Sequence, residues 1–158
     1  MIEQLSLNEL LLDSAKEIFE TMIFMDICEN DETEQSLEGD AVLSSITFKG
    51  DLEGCLALCC EKQCVQVITM NMLGFDSVEG ITDEDISDAV GEVANMIMGS
   101  LKKRLHETYS TVELSIPLVT RGQQLKNNLG EGTQGIVSKV KIEDEYPAEL
   151  SLLYREKK

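Results

Sequence analysis

The sequence has few of the residues on which common enzyme and binding chemistries depend. It contains one histidine, His106, no tryptophan, and 13 Lys+Arg against 30 Asp+Glu. Histidine-based acid–base or triad chemistry is disfavoured, because no serine or cysteine nucleophile pattern accompanies His106. The net charge of −17 argues against nucleic acid and anionic membrane surfaces as partners, since phosphate groups require a basic patch. A protein partner or a small, locally bound ligand fits this composition better.

Long hydrophobic runs are also missing. No stretch of about 18 apolar residues exists, so we expect no membrane-spanning helix. The start, MIEQLSLNEL, has neither a basic segment nor a long apolar segment, so no secretory signal is expected. The length of 158 residues and the soluble composition predict a single domain over residues 1–158, located in the cytoplasm.

The five cysteines do not follow a standard metal or disulfide pattern. Besides Cys28, they form a C-x3-C-C-x3-C cluster from Cys55 to Cys64 that lacks the zinc spacing C-x2-C. The strand predicted here would direct Cys59 and Cys60 to opposite faces. We therefore predict reduced, small buried hydrophobic residues, with a metal or redox site as the weaker alternative.

Hydrophobic periodicity predicts two long helices. The first covers Ser6–Ile27, with Ser6 and Glu9 as a capping box. The second begins at Thr82 with acidic residues in its first turn and runs to about His106. A shorter helix between them ends near Gly74.

Alternating segments predict strands with short connections, which favours antiparallel pairing. The predicted strands are two that meet in a turn at Lys49–Asp51, one over 111–119, and two over 135–143 and 148–156 joined around Tyr146–Pro147. Polar stretches predict loops at 28–40 and 122–135. The fold class is therefore α/β (α+β), with two long amphipathic helices packed on a mainly antiparallel sheet.

One face of the second long helix carries an unusual polar row: Asp88, Glu92, Asn95 and Gly99. These residues fall within about 60° of one another at 100° per residue, opposite the apolar side. A solvated face is the simplest interpretation. However, asparagine is a poor helix former, and a helical glycine costs about 1 kcal/mol relative to alanine.

The row also resembles a docking surface. Gly99 leaves a notch where another molecule could approach the backbone, and Met96 and Met98 at the margins would provide adaptable apolar contacts. A divalent-metal site on Asp88 and Glu92 is an alternative, but two carboxylates are too few for a dedicated site. We therefore predict a partner-binding surface and no metal site.

The first long helix repeats the pattern 75 residues earlier. There Asp13, Glu17 and Glu20 take the positions of Asp88, Glu92 and Asn95, and Phe24 takes the position of Gly99. We call these four residues the first-helix row. The match predicts an internal duplication whose first copy has lost the carboxamide and filled the notch, which leaves one site per chain.

The motif DAVGEVANMIMG, of the form D-x3-E-x2-N, is followed by ELSIPLVTRG, with Pro117 twenty-two residues after Asn95. Together with DLEGCLALCCE and NMLGF, these segments resemble the CheC/CheX/FliY family of chemotaxis phosphatases. A single motif indicates the CheX-like branch. The resemblance covers essentially the whole chain and implies the CheC-like pseudo-duplicated fold.

The resemblance implies hydrolysis of the aspartyl phosphate of a phosphorylated CheY-like receiver domain. By this comparison Asn95 would orient the attacking water, and Glu92 would bind a receiver lysine. Asp88 matches a less specific position. The receiver would supply Mg²⁺, so the chain would need no cofactor of its own.

CheX-type proteins form homodimers through joined sheet edges, and the resemblance implies a homodimer here. The segment LSLLY, ending at Tyr154, is a candidate edge. The main functional alternative is a non-catalytic module that binds a receiver, either to sequester it or within a flagellar switch complex.

Overall fold

The computed structural model describes residues 3–30, 39–122 and 132–156. Its helices are α1 (Gln4–Ile18), which continues as a π-helical turn (Phe19–Ile23), α2 (Lys62–Leu73) and α3 (Asp83–Leu105). Its strands are β1 (Ile27–Glu29), β2 (Ala41–Gly50), β3 (Leu52–Glu61), β4 (Val112–Leu114), β5 (Leu118–Gly122), β6 (Gln134–Ile142) and β7 (Tyr146–Glu156). The predicted class, helices on an antiparallel sheet, is confirmed.

The first helix differs from the prediction at both ends. It begins after Glu3 without a side-chain cap, so the capping box predicted for Ser6 and Glu9 is wrong. It ends when Phe24 adopts the left-handed conformation at φ 62°, because Ile27 already belongs to β1. Pairing of β1 with β6, which lies more than a hundred residues later in the chain, decides this boundary.

The strands follow the prediction with three differences. The segment predicted as one strand over 111–119 divides into β4 and β5 on either side of Ile116–Pro117. Tyr146 and Pro147 lie inside β7, since the turn occurs at Glu143–Glu145. Part of the predicted loop at 28–40 forms β1. Residues 31–38 and 123–131 of the two predicted loops lie outside the described residues.

The strand order supports the predicted duplication. The sheet runs β1-β6-β7-β3-β2-β4, and β5 also pairs with β2. The two halves of this order are equivalent: β1 corresponds to β4/β5, β2 to β6 and β3 to β7. The helix α1, which precedes β1, then corresponds to α3, which precedes β4. β7 pairs with both β3 and β6, so the prediction that LSLLY forms a sheet edge is wrong.

One hydrophobic core joins the three helices to one face of the sheet. Cys60 and Cys64 belong to this core, whereas Cys55 and Cys59 are buried outside it. Burial raises the pKa of Cys59 to about 11. The prediction that the cluster packs as small buried residues is confirmed for these four, and Cys28 is exposed. Within the described ranges, no helix is long and apolar enough to cross a bilayer.

Candidate functional site

The start of α3 is fixed by its own sequence. The Thr82 backbone N–H donates to Asp85 Oδ2 at 3.0 Å, and the Asp85 N–H donates to Thr82 Oγ1 at 3.1 Å. This reciprocal capping box satisfies two backbone donors that a helix start otherwise leaves unpaired. Arg121 of β5 forms an ion pair with Asp83 at 2.6 Å. The first turn is therefore anchored both locally and to the sheet.

Buried contacts hold the middle of α3 against the sheet. Ser44 Oγ, buried in β2, donates to the Val90 carbonyl at 2.6 Å. Gly91 faces the segment after β4: a Cβ placed there would lie 3.5 Å from Pro117 Cβ and 3.7 Å from Val119 Cγ2. These are ordinary van der Waals distances, so this segment lies directly against the helix. The polar row therefore stands on a well-supported helix rather than on a loop.

The polar row is accessible. Asp88 and Glu92 are exposed, and Asn95 is half-buried. No hydrogen bond or ion pair joins any of these three side chains to another residue in ranges 3–30, 39–122 and 132–156. A Cβ added to Gly99 would meet nothing within 4 Å, so the predicted notch is open. The arrangement offers a carboxylate and a carboxamide, one turn apart, to an incoming molecule.

The two methionines behave differently from each other. Met96 is partly buried at the margin of the row, as the helical wheel predicts. Met98 is fully buried in the core at 0% exposure, so its predicted role as an accessible partner contact is wrong. The wheel treats a helix as half exposed, whereas α3 packs against α1, α2 and several strands at once.

In the first-helix row, Glu17 is engaged by contacts within the chain. Glu17 Oε2 accepts a hydrogen bond from Ser100 Oγ and one from Arg104 Nη1, the latter at 3.0 Å. The hydrogen bond from Ser100, followed by the contact with Arg104, lowers the pKa of Glu17 below its usual value. Glu17 therefore serves as an ion-pair partner for α3, whereas Glu92 has no such partner among the residues that the structure describes.

Sequence reasoning missed a groove at the C-terminal end of the polar row. It has a volume of about 610 Å³ and is lined by Gly99, Lys102, Lys103, His106 and Leu114. The negative end of the helix dipole favours basic residues in a last turn, which is by itself a sufficient local reason for the two lysines. Their position beside Gly99 could have been read from the same helical spacing.

A second missed feature lies beside Gly91. Ile116 and Leu118, on either side of Pro117, are 87% and 65% exposed. Both side chains extend from a segment that contacts α3 at the side of the polar row. Large apolar residues with this exposure beside a polar row are typical of the contacts that protein partners use.

Metal-binding groups are not assembled within the described part of the chain. No group of three or more His, Cys, Asp or Glu residues there could hold a metal ion. Asp88 and Glu92 alone offer too few ligands for a dedicated divalent site.

Comparison with known proteins gives a family match. Residues 42–141, more than half of the chain, match the model of the family described as "Chemotaxis phosphatase CheX". No curated protein sequence matches the chain.

Several solved structures share the fold. Chemotaxis protein CheX from Vibrio vulnificus is 19% identical and has a TM-score of 0.76, with 98% of this chain and 100% of that chain covered. CheX in the CheX–CheY–BeF3–Mg²⁺ complex from Borrelia burgdorferi is 19% identical, with a TM-score of 0.71 and coverage of 94% and 97%. FliY from Thermotoga maritima is 22% identical, with a TM-score of 0.64 and coverage of 94% and 85%.

Proposed function

This chain belongs to the chemotaxis phosphatase CheX family, and from that premise we propose that it hydrolyses the aspartyl phosphate of a phosphorylated CheY-like receiver domain. The observation that carries the proposal is the polar row. Glu92 and Asn95 are accessible, have no side-chain partner among the described residues, and stand on a helix anchored at several points. The CheX–CheY complex from Borrelia burgdorferi supports a receiver of this type as the partner.

Asn95 would orient the attacking water. A carboxamide can accept a hydrogen bond from water and donate another, and it brings no negative charge close to the phosphoryl group. An acyl phosphate already has a good leaving group, so much of the remaining barrier concerns the position of water in line with phosphorus. Mg²⁺ carried by the receiver would neutralise the developing charge, so the chain itself contributes position rather than a metal.

Glu92 would hold the receiver in register. It lies one turn before Asn95 on the same face and is exposed, so its carboxylate can reach a receiver ammonium group. Asp88 would extend this contact, and Met96 and Gly99 would border it. Together they place the receiver so that its phosphoryl group faces Asn95.

The same family comparison leads us to propose a homodimer in the cytoplasm. Since β7 is central, the joined edges would be those of the outer strands, β1 on one side or β4 and β5 on the other. Sedimentation or light scattering of the full chain measures the mass directly.

The decisive experiment follows the decay of a phosphorylated CheY-type receiver with the wild-type chain and with Asn95→Ala. We expect the wild type to accelerate decay and Asn95→Ala to lose roughly two orders of magnitude in turnover, as expected when a positioning group is removed. Docking is measured separately on a receiver loaded with BeF3 and Mg²⁺. Asn95→Ala should dock normally, and Glu92→Ala should dock more weakly.

Glu20→Ala is a matched control, since it removes an exposed carboxylate from the first-helix row. It should change neither docking nor turnover. Docking by the wild type without any acceleration would refute hydrolysis in favour of sequestration. Full activity of Asn95→Ala would refute the assignment of the water-positioning residue.

A further inference from the structure

The exposed face of α3 changes sign along its length. Its N-terminal half carries Asp88 and Glu92, and its C-terminal half carries Lys102 and Lys103, with His106 beyond them. Lys102–Arg104 is the longest run of basic residues in a chain with 13 Lys+Arg and a net charge of −17. Such a local cationic surface attracts anionic groups even though the protein as a whole is acidic.

The charges of the two lysines are available to such a partner. Arg104, the third residue of the run, is held by Glu17 at 3.0 Å. No ion pair joins Lys102 or Lys103 to a carboxylate in the described part of the chain, although Glu17 is near enough to feel the charge of Lys103. Lys103 is exposed and Lys102 is half-exposed.

This cationic half is present in only one of the two related helices. With the offset of 75 residues, the end of the π-helical turn at Ile23 corresponds to Met98. α3 continues from Gly99 to Leu105, whereas the first helix has already ended before Phe24. The groove of about 610 Å³ is lined by residues of this extension and by Leu114 of β4. The helical extension over residues 99–105 is therefore found only on the helix that carries the accessible polar row.

Distance places the groove within reach of the same partner. At 1.5 Å per residue, Lys102 lies about 10 Å and His106 about 16 Å along the helix from Asn95. A standard protein interface buries about 800 Å² on each partner, equivalent to a disc of about 16 Å radius. A receiver centred on Asn95 would therefore cover Lys102 and Lys103.

We propose that the groove formed by Gly99, Lys102, Lys103, His106 and Leu114 binds a carboxylate-bearing segment of the receiver and thereby fixes the direction in which the receiver lies along α3. This inference rests on the proposed function, because it concerns the same partner. The receiver's cation lies on Glu92, and its acidic segment lies on Lys102 and Lys103. A receiver placed in the reverse direction would bring like charges together at both ends, which is disfavoured.

The test compares Lys102→Glu/Lys103→Glu with Lys16→Glu/Lys49→Glu, which makes the same charge change on α1 and β2. Binding to a CheY-type receiver loaded with BeF3 and Mg²⁺ is measured from about 50 to 500 mM salt, where screening becomes strong. Among the CheY-type receivers of the same organism, the one that binds the wild type most tightly is the probe. The groove variant, Lys102→Glu/Lys103→Glu, should bind the receiver at least about tenfold more weakly than the wild type at low salt. Its affinity should also depend less steeply on salt concentration. The control should retain the wild-type salt dependence.

Two further measurements sharpen the result. Lys102→Arg/Lys103→Arg keeps both charges and should bind as the wild type does. The Lys102→Glu/Lys103→Glu variant should lose activity mainly through a higher KM for the receiver, because Glu92 and Asn95 are unchanged.

Equal weakening by the groove variant and the control would overturn the inference and leave the proposed function intact. Binding without acceleration of dephosphorylation would refute the phosphatase, while the comparison of charge variants would still decide the role of the groove. If no receiver binds the wild type, both proposals fail.

Discussion

The polar row and the first-helix row have the same residue spacing but different surroundings. Glu17 and Glu92 occupy matching positions, yet Glu17 accepts hydrogen bonds from Ser100 and Arg104 while Glu92 has no partner among the described residues. Both glutamates are exposed, so burial does not distinguish them. The difference is that α3 supplies an ion-pair partner to α1, whereas within the described ranges its own row receives none.

The ends of the two rows differ as well. Gly99 leaves open space and lies within a continuous helix, whereas Phe24 is 72% exposed and ends its helix in the left-handed conformation. A bulky side chain is rarely found in that conformation. Duplicated helices can therefore diverge into one that holds the fold together and one that remains open to a partner.

The largest expected effect comes from giving α3 the acidic residue of the first-helix row. Asn95→Glu should abolish acceleration of receiver dephosphorylation by at least about a hundredfold, because a carboxylate replaces the water-orienting amide and repels the phosphoryl group. The measurement is the decay of the phosphorylated receiver at saturating receiver concentration.

The reciprocal change is the control. Adding Glu20→Asn to Asn95→Ala should leave activity at the level of Asn95→Ala, since Glu17 is already engaged and Phe24 occupies the notch position. Recovery of activity would mean that the first-helix row is a latent second site, contrary to this comparison.

A change at the notch should have an intermediate effect. Gly99→Phe copies the first-helix residue, and overpacking of a close contact costs about 1–3 kcal/mol, which corresponds to docking weakened by about 5- to 150-fold. Titration with the BeF3-loaded receiver measures this loss.

Gly99→Ala separates docking from folding. It should raise the free energy of unfolding by about 0.5–1 kcal/mol, because alanine is the better helix former and its Cβ meets no atom within 4 Å. Unchanged docking for both Gly99 variants would show that the partner does not enter the notch.

The smallest effect concerns the ion pair of Glu17. In the folded state the pKa of Glu17 is lowered below 4.5, chiefly by the hydrogen bond from Ser100. The contribution of the Glu17 carboxylate to stability is therefore present above pH 4.5 and is lost as the pH falls through the folded-state pKa. The wild type should therefore exceed Glu17→Gln in urea midpoint at pH 7, with the difference shrinking below pH 4.5. A difference that stays constant with pH would exclude this ion pair as its source.

Patterns local to one helix predicted much of the candidate site. The spacing of Asp88, Glu92 and Asn95 places them on one face because the α-helix has a fixed period, and the Thr82 start follows from its capping residues. Family resemblance supplied the receiver as the expected substrate, and the match to the CheX family confirms that resemblance. The roles assigned to Glu92 and Asn95 stay predictions.

Predictions that depended on distant segments were less accurate. Met98 was assigned to the margin of the row, but packing on several sides buries it. LSLLY is a candidate sheet edge from the sequence, yet β3 and β6 pair with it on both sides. The sequence of one element contains little information about its neighbours, since pairing is set by the whole sheet.

By itself, the sequence determined which helix carries the accessible carboxamide and notch and which carries their altered copy, because side-chain identity and helical period are local properties. Only the tertiary structure decided that Glu17 is engaged by Ser100 and Arg104 and that Lys102 and Lys103 border an open groove. These outcomes depend on how α1, α3 and β4 pack together, and packing brings together residues that are far apart in the chain.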